Sequence, residues 1–557
     1  MTTPEFPAIW TPTVDPSERL KTGEQTARGQ VFLVGAGPGE PGAITLRALE
    51  CLAQADAVLF DYLVNPSLLR WATRPNVRLI SLGGHGDPKL SGANRTSDLG
   101  TPQRMMSQAE ICQMMVELAN QGQNVVRLKC GDPLIFARAS EELDAVQNAG
   151  LPCEVVPGIT SAFAAGSYAG IPLTNREHAS AVALVTGHPA AEKPLAAGEP
   201  EMPANRAPSL DWEALAKFPG TLVVYMGTTQ LEYWVGELLR FGKDPQTPVA
   251  ILRRCGFTDQ SMVRTTLANL IEVATTPKRI RPPVVFLIGS AIASPQASDW
   301  FSRRPLRGQT ILVTRPNEGG AGVLRDLELL GAQALHWPAI SIRPLDDYRE
   351  LDQAIEGLYK FRWVVFPSSN GVRALMQRLW SLGRDARALA NCHLAAVGAQ
   401  TAKELERFHL RADLVPARFD ADHLADDLVR DVGSGSCLIV RASRGREVLA
   451  DRLRTSGAAV TQVAAYQNVD TEQVPPEIRH AMNTGKIHWV TATSNAIVDN
   501  LVRQFGASLR NTRLATISPL TSQRIREHGF EVAAEARVAT FAGVIDAILG
   551  AHTPSAA

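Results

Sequence analysis

The stretch Val31-Phe-Leu-Val-Gly-Ala-Gly-Pro-Gly-Glu-Pro-Gly42 holds the densest group of residues able to do chemistry. Gly35, Gly37, Gly39 and Gly42 form a turn where no side chain blocks a ligand from backbone amides or from the N-terminus of the helical spacing at Ile44 to Ala53. Gly37-x-Gly39-x-x-Gly42 fits the dinucleotide-binding spacing, and Asp61 ends the next apolar run, Ala57 to Phe60. Pro38 and Pro41 speak against that reading, because they remove amide donors a pyrophosphate would use. Similar junctions recur downstream. Gly131-Asp132-Pro133 follows the strand-like segment 124–128, Val156-Pro-Gly-Ile-Thr-Ser-Ala162 places hydroxyls after another, and Ile171-Pro-Leu-Thr-Asn-Arg176 and Leu184-Val-Thr-Gly-His188 do the same. Asp132, at the carboxyl end of a strand, suits either a ligand site or a structural helix cap.

These junctions need strands to aim them. Val31–Val34, Ala57–Phe60, Asn124–Leu128, Glu154–Val156 and Ala181–Val185 read as strands alternating with helices such as Gln108–Asn120, an α/β arrangement with parallel pairing. Residues 86–104 read as a polar loop, 189–210 as a Pro- and Ala-rich insert, and 1–28 as a disordered tail without a signal core. The 557 residues carry zero formal net charge and no polybasic run, so nucleic acid is not an expected partner. No apolar run reaches the ~18 residues of a membrane span. Seven cysteines, with no C-x-x-C and no metal-ligand spacing, imply reduced thiols, a cytoplasmic location and no metal.

After a small, polar, basic linker at 296–306 the pattern restarts and repeats. Leu312-Val-Thr-Arg315 matches Leu438-Ile-Val-Arg441, and Leu330-Gly-Ala matches Ser456-Gly-Ala. Pro367-Ser-Ser-Asn-Gly-Val matches Ala492-Thr-Ser-Asn-Ala-Ile, and the run 394–401 matches 514–521. Two similar α/β lobes are expected. In both, strands run into Ser, Thr and Asn and then a helix, a pattern that serves ordinary capping or the binding of anions.

The first half resembles uroporphyrinogen-III C-methyltransferase, of the tetrapyrrole methyltransferase superfamily. The resemblance rests on Val34-Gly-Ala-Gly-Pro-Gly39, Ala55-Asp-Ala-Val-Leu-Phe-Asp-Tyr-Leu-Val64, Val126-Arg-Leu-Lys-x-Gly-Asp-Pro133, Val156-Pro-Gly-Ile-Thr-Ser-Ala162, Tyr168-Ala-Gly-Ile-Pro-Leu-Thr174, Thr186-Gly-His188 and Val224-Tyr-Met-Gly227, in order. It displaces the dinucleotide reading. It implies two lobes over 29–295, the second starting near Ala179 with strands at Thr221–Met226, Pro248–Ile251 and Val284–Ile288. S-adenosylmethionine would lie between them, touching Pro38, Gly131, Asp132, Ile135, Thr160, Ser161, Met226 and Gly256; core filling is the alternative for Met226. The implied reaction methylates two pyrrole carbons of uroporphyrinogen III to give precorrin-2, for sirohaem or cobalamin. Asp61 falls on the family's proton acceptor. Its proton-donating lysine falls on Gly84 or Gly83, with His85 as a substitute, and Cys130 replaces a common glycine. The resemblance also implies a homodimer. Methylation of a later corrin intermediate, or a degenerate lobe kept as a scaffold, would use the same fold.

The second half, 307–550, resembles uroporphyrinogen-III synthase through Ile311-Leu-Val-Thr-Arg-Pro316, Phe366-Pro-Ser-Ser-Asn-Gly-Val372, Ala396-Val-Gly-x-x-Thr401, Val415-Pro-Ala-x-Phe-x-Ala-Asp-x-Leu424, Ala464-Ala-Tyr466 and Ile517-Ser-Pro-Leu-Thr521. This implies cyclisation of hydroxymethylbilane, with Tyr466 assisting departure of its hydroxyl. Ser369, Asn370, Thr401, Ser494, Thr521 and Ser522 would meet substrate carboxylates, and Ser518 stands for a frequent glycine. The chain would cross between lobes, joining residues near 305–340 to the C-terminal third.

Overall fold

The computed structural model describes residues 28–83, 106–187, 210–293, 299–316, 320–417, 421–432, 435–445 and 447–552. His85, Gly84, the loop at 86–104, nearly all of the insert at 189–210 and all but the last residue of the expected tail lie outside them.

The first half supplies β1 (Val31–Gly35), β2 (Ala57–Phe60), β3 (Arg78–Ser81), β4 (Val125–Lys129) and β5 (Cys153–Val156), ordered β3-β2-β4-β1-β5 and parallel throughout. β1, β2 and β4 are buried along their whole length, as strands covered on both faces must be. A Cβ on Gly35 would lie 2.6 Å from Gly158 Cα, and one on Gly158 would lie 2.2 Å from the Gly131 carbonyl oxygen. The carboxyl ends of β1, β4 and β5 therefore close on one another with only backbone between them.

Next come β6 (Val182–Thr186), β7 (Thr221–Tyr225), β8 (Pro248–Arg253), β9 (Ser261–Thr266) and β10 (Val284–Ile288), ordered β6-β7-β10-β8-β9. Only β6 and β7 pair in parallel; the other neighbours are antiparallel. The strand expected at Ala181–Val185 is β6, the parallel-paired edge of this second, mixed sheet, and the antiparallel neighbours lie beyond β7. Helix Ser161–Ala169 follows β5 but packs Ala162, Ala164, Ala165 and Ala169 against Val223, Ala250, Leu252 and Leu287 of the second sheet. Its small side chains bring the lobes close and set its N-terminus in the cleft between them.

The second half contributes β11 (Thr310–Val313), β12 (Gln333–His336), β13 (Ile340–Arg343), β14 (Trp363–Phe366), β15 (His393–Ala396), β16 (Ser436–Ala442), β17 (Ala459–Asp470), β18 (Trp489–Ala492), β19 (Arg513–Thr516) and β20 (Ala534–Glu535). One sheet is β12-β11-β18-β19-β20 and the other β13-β17-β16-β14-β15, so the chain leaves the first lobe after β12 and returns before β18. The repeat has a spatial counterpart. β12-β11-β18-β19 runs parallel as β17-β16-β14-β15 does, and Leu414 bridges β15 where β20 borders β19.

The expected linker is packed over its described residues. Phe301 is buried against Tyr168 (ring centroids 4.5 Å apart), and Leu306 sits in the core beside β11. The aromatic pair Trp300-Phe301 supplies apolar area that the polar surroundings mask in composition.

Candidate functional site

The turn after β1 pairs with the turn after β4. The amide of Gly37 donates to the Gly131 carbonyl at 3.2 Å and that of Gly131 to the Gly37 carbonyl at 2.7 Å. Pro38 is buried within the turn. Asp132 ties the assembly together: Oδ1 accepts from the Leu134 amide at 2.8 Å and Oδ2 from the Gly158 amide at 3.0 Å. Of the two roles open in sequence, the structure gives Asp132 the anchoring one, and any ligand meets backbone that it holds in place. Ile135 is partly exposed on the same loop, and its amide bonds back to the Asp132 carbonyl.

Thr160 occupies the N-cap of helix Ser161–Ala169, yet its hydroxyl does not cap it. The cap comes from the other lobe. The Tyr225 hydroxyl accepts from the Ala162 amide at 2.8 Å and lies 2.6 Å from Thr160 Oγ1, while Phe136 packs on the Tyr225 ring at 5.1 Å. Ser161 is beside Gly131, where an added Cβ would come within 3.7 Å of the Ser161 nitrogen. Met226 follows at φ 52° with 49% of its surface exposed. A half-exposed side chain is not core filler, and a left-handed backbone at a non-glycine residue marks a constrained site. Gly256, at φ 81°, closes the far side: a Cβ there would sit 3.0 Å from the Glu40 nitrogen and 3.2 Å from the Tyr168 ring. These contacts set side by side the turns that carry all eight residues expected around the donor, five of the eight being glycine, proline or hydroxyl residues.

Asp61 stands at the end of β2, its side chain 31% exposed, with Oδ1 2.6 Å from Arg127 Nη2. Arg127 belongs to a buried chain of charge. Its Nε meets Glu142 Oε1 at 3.0 Å, Lys129 Nζ meets Glu142 Oε2 at 2.7 Å, and Gln108 donates to the same carboxylate at 3.1 Å. Burial, then the neighbouring guanidinium, hold the Lys129 amine below the usual lysine range. Two cations and two anions balance, and Asp61 alone among them reaches solvent. The sequence points to Asp61 but not to its supports or to Tyr225. Their signal was present in the strand itself, since charges at Arg127 and Lys129 in a fully buried strand require partners. Cys130 is a poor nucleophile: burial, then the Asp61 charge, push its thiol up to about 12.

In the second half Tyr466 is buried in β17 beside a register shift at Arg441 and Ala442. Its hydroxyl lies 2.8 Å from Ser368 Oγ and also bonds the Asn370 side chain. Burial pushes the phenol up from its ordinary value. Ser368, Ser494 and Ser518 are N-caps whose hydroxyls accept from the amides of Gly371, Ile497 and Thr521. Ser369 stands at the first helical position instead. Three of the residues expected to meet carboxylates lie inside the fold. Thr401, Thr521 and Ser522 are buried, and Ser522 Oγ bonds Thr516 Oγ1 at 2.7 Å. Thr521 Oγ1 lies 3.2 Å from Ser518 Oγ, so it too is enclosed by protein.

Among the described residues no group of His, Cys, Asp and Glu could hold a metal, and no helix is long and apolar enough to cross a membrane. Residues 30–271 match the family model "Tetrapyrrole (Corrin/Porphyrin) Methylases", and residues 323–546 match "Uroporphyrinogen-III synthase HemD". The chain is 31% identical over 493 residues to the porphyrin biosynthesis protein HemD of Ruminiclostridium josui, covering 88% of this chain and 91% of that protein. It is 36% identical over 379 residues to the uroporphyrinogen-III C-methyltransferase of Bacillus subtilis, covering 68% and 71%. Among solved structures, it is similar to the uroporphyrin-III C-methyl transferase of Thermus thermophilus, at 30% identity and TM-score 0.36 over 48% of this chain and 94% of that one. Sheets, cleft and matched segments lead to one conclusion: the chain belongs to the family in which a tetrapyrrole methylase is fused to a uroporphyrinogen-III synthase.

Proposed function

We propose that the second half cyclises hydroxymethylbilane to uroporphyrinogen III and that the first half methylates this product twice to precorrin-2, serving sirohaem or cobalamin synthesis. The observation that carries the methyl-transfer reading is the cleft between the Gly37–Gly131 turns, Thr160, Met226 and Gly256, with Asp61 held at a strand end nearby. S-adenosylmethionine, when bound, supplies an electrophilic methyl on a positively charged sulfur. The residues fit such a donor: glycine turns let it approach backbone, and burial keeps the Cys130 thiol protonated, so that thiol does not compete with the substrate carbon. Pro38, Gly131, Ile135, Thr160, Ser161, Met226 and Gly256 hold the donor in line with the pyrrole carbon, where positioning supplies most of the rate. Asp132 keeps the turns in register. Asp61 then takes the proton that the substituted carbon loses, while Arg127 fixes the carboxylate's direction.

In the second half, the Tyr466 hydroxyl is oriented by Ser368 and Asn370 to assist departure of the substrate hydroxyl. The first-turn amides beside Ser369, Asn370, Ser494 and Ser518 receive substrate carboxylates. The protein acts in the cytoplasm as a homodimer through its first half, with boundaries at 29–295 and 307–550. Purified protein given hydroxymethylbilane and S-adenosylmethionine should yield a doubly methylated type III product by mass spectrometry. Uroporphyrinogen I as the sole cyclic product would refute the synthase half, and unmethylated uroporphyrinogen III would refute the methylase half.

A further inference from the structure

The donor cleft is not completed by the first half alone. Gly256 lies against Glu40 and Tyr168, and its amide donates to Gln260 Oε1 at 3.0 Å. Each of these three neighbours is held from outside by one residue of the segment 300–307. The Phe301 ring packs on Tyr168 at 4.5 Å between centroids. Arg304 Nη1 meets Glu40 Oε2 at 2.9 Å, both side chains 12% exposed. Arg307 Nη2 donates to the Gln260 carbonyl at 2.6 Å. The segment is itself fastened to the second half. Leu306 donates its amide to Leu330, Arg304 donates to the Glu328 carbonyl at 3.2 Å, and a Cβ on Gly331 would sit 2.6 Å from the Cβ of Arg304. Glu328 also reaches back to the first half in a two-pronged pair with Arg70, at 2.6 and 2.9 Å. Arg70 closes the short helix Pro66–Trp71, whose N-cap Asn65 donates to the Gly39 carbonyl at 2.7 Å.

We propose that residues 300–307 are a positioning clamp for the methyl donor, through which the second half sets the geometry of the turn at Gly39–Glu40 and of Gly256. Arg304 is its central residue. Stacked on Phe301, with its guanidinium carbon 4.3 Å from the ring centroid, it is preorganised to hold Glu40. A side chain in the turn would otherwise have to carry its charge, nearly buried, without a partner. The inference rests on the donor cleft proposed above. It means that the fusion of the two halves shapes the first active site as well as keeping the enzymes together.

Calorimetric binding of S-adenosylhomocysteine to the full-length protein tests it, alongside donor KM and kcat in the methylation assay. Arg304→Ala and Glu40→Gln should each weaken binding roughly tenfold and raise donor KM more than they lower kcat. Arg304→Lys, which keeps a cation facing Glu40 and a donor for the Glu328 carbonyl, should retain most of the affinity that Arg304→Ala loses. Wild-type affinity in both single variants overturns the clamp. If Arg304→Ala fails to fold by circular dichroism, Glu40→Gln carries the same test, and unchanged affinity there overturns the clamp equally. A wild-type protein that binds no S-adenosylhomocysteine refutes the cleft reading instead, so the two failures are distinguishable.

Discussion

The two halves hold their polar groups in different ways. In the first, Glu142 is fully buried and pairs with Arg127 and Lys129, whose side chains are only 3% and 2% exposed. In the second, the buried Glu404 pairs with Arg373 and Arg407, which are 28% and 59% exposed. The first half uses a closed chain of charge to aim one carboxylate at solvent. The second relies on serine caps, each of which satisfies a helix end before it can do anything else. A residue at a strand-to-helix junction thus says little by itself; what distinguishes a functional junction is the apparatus spent on orienting it.

The sharpest way to break this contrast is to remove the two glutamates. Glu142→Ala strands two buried cations and should destabilise the first half by ~3–5 kcal/mol. Glu404→Ala leaves arginines that water can reach, and should cost no more than about 1–2 kcal/mol. Chemical denaturation of the full-length variants compares them, and equal losses would erase the distinction. Next in size, Asp61→Asn should slow methylation by roughly a hundredfold or more while S-adenosylhomocysteine affinity holds. Initial rates and calorimetry on one preparation separate the two effects.

Much of the frame was legible because buried parallel strands are continuous apolar runs, as at Val31–Val34 and Ala57–Phe60. Edge strands were harder. β9 (Ser261–Thr266) is largely exposed and has too few apolar residues to announce itself. The crossing of the chain between the lobes of the second half was expected from the resemblance and is seen in the sheet orders. In the site, the glycine turn was visible because its residues are adjacent. Asp132 showed its role only through Gly158, 26 positions away, and Tyr225 only by capping a helix of the opposite lobe. Thr401, Thr521 and Ser522 look in sequence like accessible hydroxyls, because whether a first-turn residue is buried depends on how its helix packs.

Two smaller tests sharpen the second half of the comparison. Tyr466→Phe removes the contacts to Ser368 and Asn370 and should lower stability by about 1 kcal/mol and slow ring closure, read as a rise in the uroporphyrinogen I fraction. An unchanged product ratio would make the tyrosine structural. The weakest effect is expected from acid. Hydrogen bonding to Arg444, with Arg503 adding its charge, holds Asp470 below the usual carboxylate range. Arg503 comes from helix Asn495–Phe505 of one lobe and Asp470 from β17 of the other. A depressed carboxylate stabilises the fold fully above its unfolded value, about pH 4, and that contribution fades as pH falls through the folded value. Asp470→Asn should therefore differ from wild type in thermal midpoint near neutrality and converge with it in acid.

The claim on which the rest depends is that the Gly37–Gly131 turns, Thr160 and Met226 enclose the methyl donor within reach of Asp61. A crystal structure of the full-length protein with S-adenosylhomocysteine decides it. The ligand is expected between Gly131, Thr160, Met226 and Gly256, its sulfur open toward the side on which Asp61 lies. Ligand density elsewhere, with this cleft empty at saturating concentration, would contradict it.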